Sequence, residues 1–207
     1  MVKLPLPPDP DPLRAVGADL HRCPGTTTLW RLHDTVGDHV LAWDALRTYG
    51  PVARCRFDPH DPPPREQTAG VGYLALDLPT ALAEFFQDTR LVNTRRSAPH
   101  LTAFQPRRDL WLLDLAGEWP VRAGASHVIN TGRRDVTRAW ARAITAAWPE
   151  LDGLWHISSM TGRPCVTIFN PAADAIPAAP SFSEPLAHPG LRPWVAAACA
   201  VIGYGLL

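Results

Sequence analysis

A single carboxylate, Glu84, interrupts the apolar run TALAEFF at residues 80–86. On a helical wheel it falls beside Ala81, at the edge of a stripe made by Leu78, Ala81, Leu82 and Phe85. That position suits a solvated helix surface or a charge turned toward a ligand, and the wheel does not choose. Arg31 follows Trp30 inside the apolar run LWRLH, where a guanidinium is costly unless it meets water or a partner. It reads either as an outward-facing strand residue or as a group aimed at a ligand. Arg56 alternates with Arg54 in ARCRFDPH, a pattern that fits an exposed edge, and Tyr73 in VGYLAL fits a core aromatic. Ser158 and Ser159 close the run DGLWHISS, where hydroxyls at a strand end can cap the next turn. His156 shares a strand face with Ser158, but this spacing does not establish a Ser–His activation pair. Ser158 therefore reads as a residue that positions a ligand rather than as a nucleophile.

The common catalytic signatures are absent: no P-loop, GxGxxG, HExxH or GxSxG occurs, and GVG at 70–72 is too short to replace one. Eight histidines invite a metal reading, yet His33, His39, His60 and His100 do not fall at ligand spacings; no metal is expected. Lys plus Arg and Asp plus Glu number 20 each, so no net field draws the chain to nucleic acid or an anionic membrane, and a small or neutral partner fits better. Cys23, Cys55, Cys165 and Cys199 are scattered without CxxC spacing, which argues against a zinc cluster or a disulfide scaffold and for a reducing cytoplasm.

The elements that must position these residues follow from hydrophobic pattern and proline punctuation. A chain of 207 residues is long enough for one substantial core. The N-terminal stretch MVKLPLPPDPDPL has no continuous apolar segment, so it is neither a signal peptide nor a membrane helix and reads as an extended lead-in. Proline clusters at 5–12, 58–67 and 170–185 mark where regular elements should stop. Between them TTTLWRLH and GVGYLALD read as strands, the second ending at Asp77. LPTALAEFFQ follows as a helix with Pro79 or Thr80 in its first turn. DLWLLDLAG reads as a buried strand. RRDVTRAWARAITAAWP places Val136, Trp140, Ile144 and Trp148 at four-residue steps, an amphipathic helix ended by Pro149. DGLWHISS and PCVTIFN are strands joined by the polar turn MTGR, and PWVAAACAVIGYGLL, too short to span a bilayer, reads as a core helix followed by a terminal strand. The class is α/β (α+β): one domain with a mixed central sheet of roughly five to seven strands flanked by helices.

Taken in order, LWRLH, ARCRFDPH, VGYLALDLPTALAEFF, DGLWHISS and PCVTIFN resemble the blocks of the RES domain family, named for Arg, Glu and Ser. The similarity runs from about Leu29 to the end of the chain, where VIGYGLL also looks like the family's finish. It divides the chain into a proline-rich extension over 1–25 and a RES domain over 26–207. The resemblance implies a fold similar to that of ADP-ribosyltransferases. It also implies the activity of toxins of RES-Xre type toxin–antitoxin systems, which destroy NAD. By motif, Arg31, Glu84 and Ser158 take the places of the family's arginine, glutamate and serine. Arg56 matches the arginine of its Gly-Arg-Trp or Ala-Arg-Phe block, and Tyr73 matches the aromatic that ends the strand before the glutamate helix. The block reads CRF instead of GRW, with Arg54 adjacent to the motif, and Ser159 neighbours the matched serine; both pairs stay open.

On that resemblance, Glu84 would face the nicotinamide ribose and stabilise its oxocarbenium-like charge, while Arg31 and Arg56 hold the pyrophosphate or ribose. Tyr73 would stack on the nicotinamide ring, and Ser158 would contribute one orienting hydrogen bond. NAD is then a substrate and no resident cofactor is implied; water, inorganic phosphate and a protein side chain remain open as acceptors. A cognate Xre-like antitoxin is the implied partner, with no direct nucleic-acid contact and no membrane. Two other activities stay open: ADP-ribosyl transfer to a macromolecule, and a non-catalytic module that binds NAD or a partner.

Overall fold

A computed structural model describes residues 4–207. In chain order these form α1 (Pro10–Val16), β1 (Leu20–Cys23), β2 (Leu29–Asp34), β3 (Arg47–Gly50), β4 (Arg65–Ala75), α2 (Leu78–Phe85), β5 (Leu91–Val92), β6 (Pro99–Phe104), β7 (Leu110–Asp114), α3 (Trp119–Arg122), α4 (Arg134–Ala147), β8 (Gly153–Ile157), β9 (Pro164–Phe169), β10 (Phe182–Pro185), α5 (Arg192–Ile202) and β11 (Gly205–Leu206). Short 3-10 turns occupy His127–Asn130, Asn170–Ala175 and Pro189–Leu191. The main sheet has nine strands among the described residues, ordered β1-β7-β8-β9-β4-β2-β6-β10 with β3 also paired to β4. It is mixed: β7 and β8 run parallel, and the other pairs are antiparallel. The parallel pair β5–β11 stands apart.

Alternation along the strands separates two faces. Leu113, Leu154 and Phe169 pack under α1 and α4 with Trp119, Trp140 and Ile144. Their neighbours Leu112 and Ile168 join Leu29, Leu74 and Phe104 on the other side. Leu82 of α2 and Val195 and Cys199 of α5 close a third cluster against Leu101 of β6. At Gly153 an added Cβ would lie 2.0 Å from the Thr167 carbonyl oxygen, so the close passage of β8 along β9 requires glycine. Asp77 caps α2 by accepting from the Thr80 N–H at 2.8 Å. At the other end of the chain Gly203 ends α5 in the left-handed region, at φ 70°.

Several expectations need correction. The lead-in is not wholly extended: α1 packs Leu13 into the core, and Arg14 donates to the carbonyls of Ala146 and Ala147 at the C-terminus of α4, where a cation suits the free carbonyls. β1 then joins the sheet through β7. β4 starts at Arg65, inside the second proline cluster, and the third cluster holds a 3-10 turn and β10. The sheet exceeds the five to seven strands expected, because β1, β3, β6 and β10 carry no clear alternation. Phe85 does not enter the core with Leu82; it lines a cleft, its ring edge-on to Phe86 at 4.9 Å, and Phe86 packs against the α2–α5 cluster instead.

Candidate active site

β2 and β4 share a single register pair, Trp30 with Ala75. Beyond it the two strands part, and a cleft with a volume of about 280 Å³ opens between residues 30–34 and 71–75. α2, the 54–57 turn and the start of α4 complete its walls.

Arg31 leaves β2 into this cleft and is 8% exposed, so it is not an outward-facing strand residue. Its Nη1 donates to the carbonyls of Trp43 at 2.6 Å and Ala45 at 2.9 Å. Burial lowers its pKa to about 10, with Asp44 opposing and Arg47 reinforcing that shift; the guanidinium stays charged at neutral pH. Arg54 and Arg56 lie in a turn rather than on a strand edge, and both line the cleft. Arg56 is half-buried, its Nη1 donating to the Gly132 carbonyl, while its own carbonyl accepts from the Thr137 hydroxyl at 2.8 Å. The Tyr73 ring lines the cleft and packs on the α4 side of the sheet. Its hydroxyl donates to Asp58 Oδ1 at 2.5 Å, and burial followed by neighbouring negative charge keeps the phenol protonated well above its ordinary range.

Glu84 sits in the last turn of α2, half-buried, and lines the same cleft. Its Oε1 accepts a hydrogen bond of 2.5 Å from the Ser158 hydroxyl. Ser158 is 3% exposed, and its Oγ also accepts from the N–H groups of Met160 and Thr161, both at 3.1 Å. One hydroxyl thus caps the turn after β8 and orients the carboxylate. Ser158 lies behind Glu84, whereas Ser159 is exposed and lines the cleft itself. His156 is engaged elsewhere: Nε2 pairs with the Thr167 hydroxyl at 3.0 Å and the ring packs on Phe57 at 4.8 Å. Burial lowers its pKa to about 4, so the imidazole is neutral at pH 7.

Three residues of this site carried no signal in the sequence. Asp58 is fully buried and accepts from Arg47 Nη2 at 2.5 Å, from Tyr73, and from the Val52 N–H at 2.6 Å. Burial alone would raise its pKa, but His60, Arg47 and Tyr73 outweigh that and hold it at about 2. Arg134 and Gln87 meet across the cleft, Arg134 Nη2 donating to Gln87 Oε1 at 2.8 Å; each reads along the chain as ordinary helix-end polarity. Among the described residues no group of three or more His, Cys, Asp or Glu is arranged to hold a metal ion, and no helix is long and apolar enough to cross a membrane.

The chain is thus a single α/β domain whose mixed sheet is split by a cleft, with a carboxylate, a buried hydroxyl and several guanidiniums in or beside its walls. Its fold is similar to that of a crystal structure of the M. tuberculosis MbcT–MbcA toxin–antitoxin complex, with TM-score 0.58, 15% identity, and 91% of this chain and 96% of that chain covered. The family model described as RES domain matches residues 28–187, and the chain belongs to the RES domain family. A comparison with curated proteins gives no match.

Proposed function

We propose that this protein degrades NAD by cleaving the bond between nicotinamide and ribose, as the toxin of a toxin–antitoxin pair. The observation that carries this reading is the Ser158–Glu84 hydrogen bond at the wall of a cleft that five arginines line, together with three histidines and the carboxylates of Asp34 and Asp88. Nicotinamide departs neutral with the bonding electron pair, leaving positive charge on the ribose. Glu84, one oxygen fixed by Ser158, turns its second oxygen to the ribose hydroxyls and stabilises that charge before it forms. The second carbon–oxygen bond then comes from water or inorganic phosphate, whose proton passes to solvent. Arg31 and Arg56 grip the diphosphate, and Ser159, open to the cleft, is placed for a ligand contact that Ser158 is not. The Tyr73 hydroxyl is committed to Asp58, which leaves the aromatic ring as its means of contact with nicotinamide.

The partner in this reading is a cognate antitoxin of Xre type that silences the cleft, as the pairing in the similar complex suggests. The reaction belongs in the cytoplasm, where NAD is abundant. The test is NAD consumption by the purified protein with and without inorganic phosphate, beside Glu84→Gln, which keeps shape and loses charge. Turnover should fall roughly 10²-fold or more. Free ADP-ribose or its phosphate as product supports the reading, a mass addition on protein replaces it with ADP-ribosyl transfer, and stoichiometric NAD binding without loss of NAD makes the domain a binding module. Unchanged turnover by Glu84→Gln removes the role given to the carboxylate.

A further inference from the structure

Four of the arginines that line the cleft, Arg31, Arg54, Arg56 and Arg134, have no carboxylate within ion-pair distance among the described residues. Arg47 differs, because buried Asp58 neutralises it. Arg31 gives its Nη1, though not the whole fork, to two backbone carbonyls, and Arg54 is exposed. Arg56 and Arg134 converge: the guanidinium of Arg56 reaches the Gly132 carbonyl, two residues ahead of Arg134. Arg134 holds Gln87 through Nη2, while its Nε is buried without a hydrogen-bond partner. Arg134 is also the first residue of α4, so the helix dipole adds positive potential at the same place. Two like charges held together in a partly dry wall repel; the pKa of Arg56 is lowered by burial first and by Arg134 next, and Glu84 and Tyr73 offset only part of that shift. An empty pair of this kind is unfavourable, and an anion between the two forks relieves both the repulsion and the orphaned N–H.

We propose that Arg134 and Arg56 form a two-guanidinium seat for a phosphoryl anion, with Arg134 a binding residue for the diphosphate of the dinucleotide. The identity of the ligand rests on the NAD reading above; the seat itself rests on the geometry of the two arginines. Gln87 ties the seat to the reacting end, since its Nε2 donates to the Glu84 carbonyl at 2.9 Å while its Oε1 accepts from Arg134. A diphosphate drawn onto Arg134 is thereby registered against the turn of α2 that carries Glu84.

The experiment is calorimetric titration of the full chain with inorganic pyrophosphate, which carries the charge of the diphosphate without the glycosidic bond. A parallel titration with NAD uses the Glu84→Gln background. Arg134→Gln should weaken both by about tenfold or more, the scale of a lost charge-assisted hydrogen bond, and should flatten the salt dependence of the affinity. Arg134→Lys, which keeps the charge and loses the fork, should fall between. Thermal melts of both variants check folding, and the lysine variant serves if the glutamine variant does not fold. Pyrophosphate binding that is absent in the parent, or unchanged in a folded Arg134 variant, overturns the seat. Pyrophosphate binding that depends on Arg134, in a protein that neither binds nor consumes NAD, keeps the seat and discards the NAD reading.

Discussion

Glu84 gains its leverage from a residue that does not itself line the cleft. Ser158 Oγ donates to Glu84 Oε1 and accepts two backbone N–H groups, so its lone pairs and its proton are both committed and its hydroxyl points one way. Ser158→Ala frees the carboxylate to rotate and uncaps the turn. The expected result is a fall in kcat of about tenfold or more, the scale of one hydrogen bond to a charge, with a smaller change in KM. Ser159→Ala should do the reverse, raising KM with little effect on kcat, because Ser159 lines the cleft while it is Ser158 that donates to Glu84. Steady-state kinetics on the two variants tests the division. The sequence placed both serines at a strand end and left them unresolved; what separates them is the turn geometry of residues 158–161, which residue types do not encode.

At the scale of elements, α2 is the platform for Glu84, and its hold on the sheet is Leu82, fully buried against α5 and β6. Leu82→Ala should cost about 2–5 kcal/mol, read as a lowered denaturation midpoint with an unchanged slope, and NAD turnover should fall with it as α2 loosens. Helix α2, helix α4 and strands β2, β7, β8 and β9 were legible because their apolar residues repeat at helical or strand spacing. β6 was not, since it lies between β2 and β10 with nearly every residue buried and so lacks alternation. Proline misled at two places: β4 starts at Arg65 inside the second cluster, just past Pro64, and Pro185 closes the outermost strand β10, at a strand end where a missing N–H costs little. Of the site, Arg31, Arg56, Tyr73 and Glu84 were named in advance and line one cleft. Asp58 and Arg134 were not, because their significance lies in what they meet across the fold: Tyr73 and Arg47 for the first, Gln87 for the second.

For the molecule as a whole, two buried titratable groups set its tolerance of acid. His156 has its pKa lowered from 6.5 to about 4 by burial. The unfolded chain therefore binds the extra proton first, and stability that is full above pH 6.5 is lost as pH falls toward 4, on the order of 3 kcal/mol. Asp58, held at about 2, adds a second loss as pH falls from 3.8 toward 2, when its carboxylate takes a proton and releases Arg47. Denaturant melts across this range should show stability falling in the upper window, and His156→Gln, which keeps a hydrogen-bonding group opposite Thr167, should flatten that part of the curve. An unchanged slope in His156→Gln would show that another group governs it.

The single pairing of Trp30 with Ala75 is a seam in an otherwise hydrogen-bonded sheet. A ligand held as proposed, by Arg31 on one lip and by Arg56 and Arg134 on the other, would act as a rivet across it. Affinity and mechanical cohesion then become one quantity, each tenfold excess of ligand over Kd adding about 1.4 kcal/mol to the folded state. A variant that loses the rivet without losing the fold will melt like the parent when empty and show no gain when ligand is added.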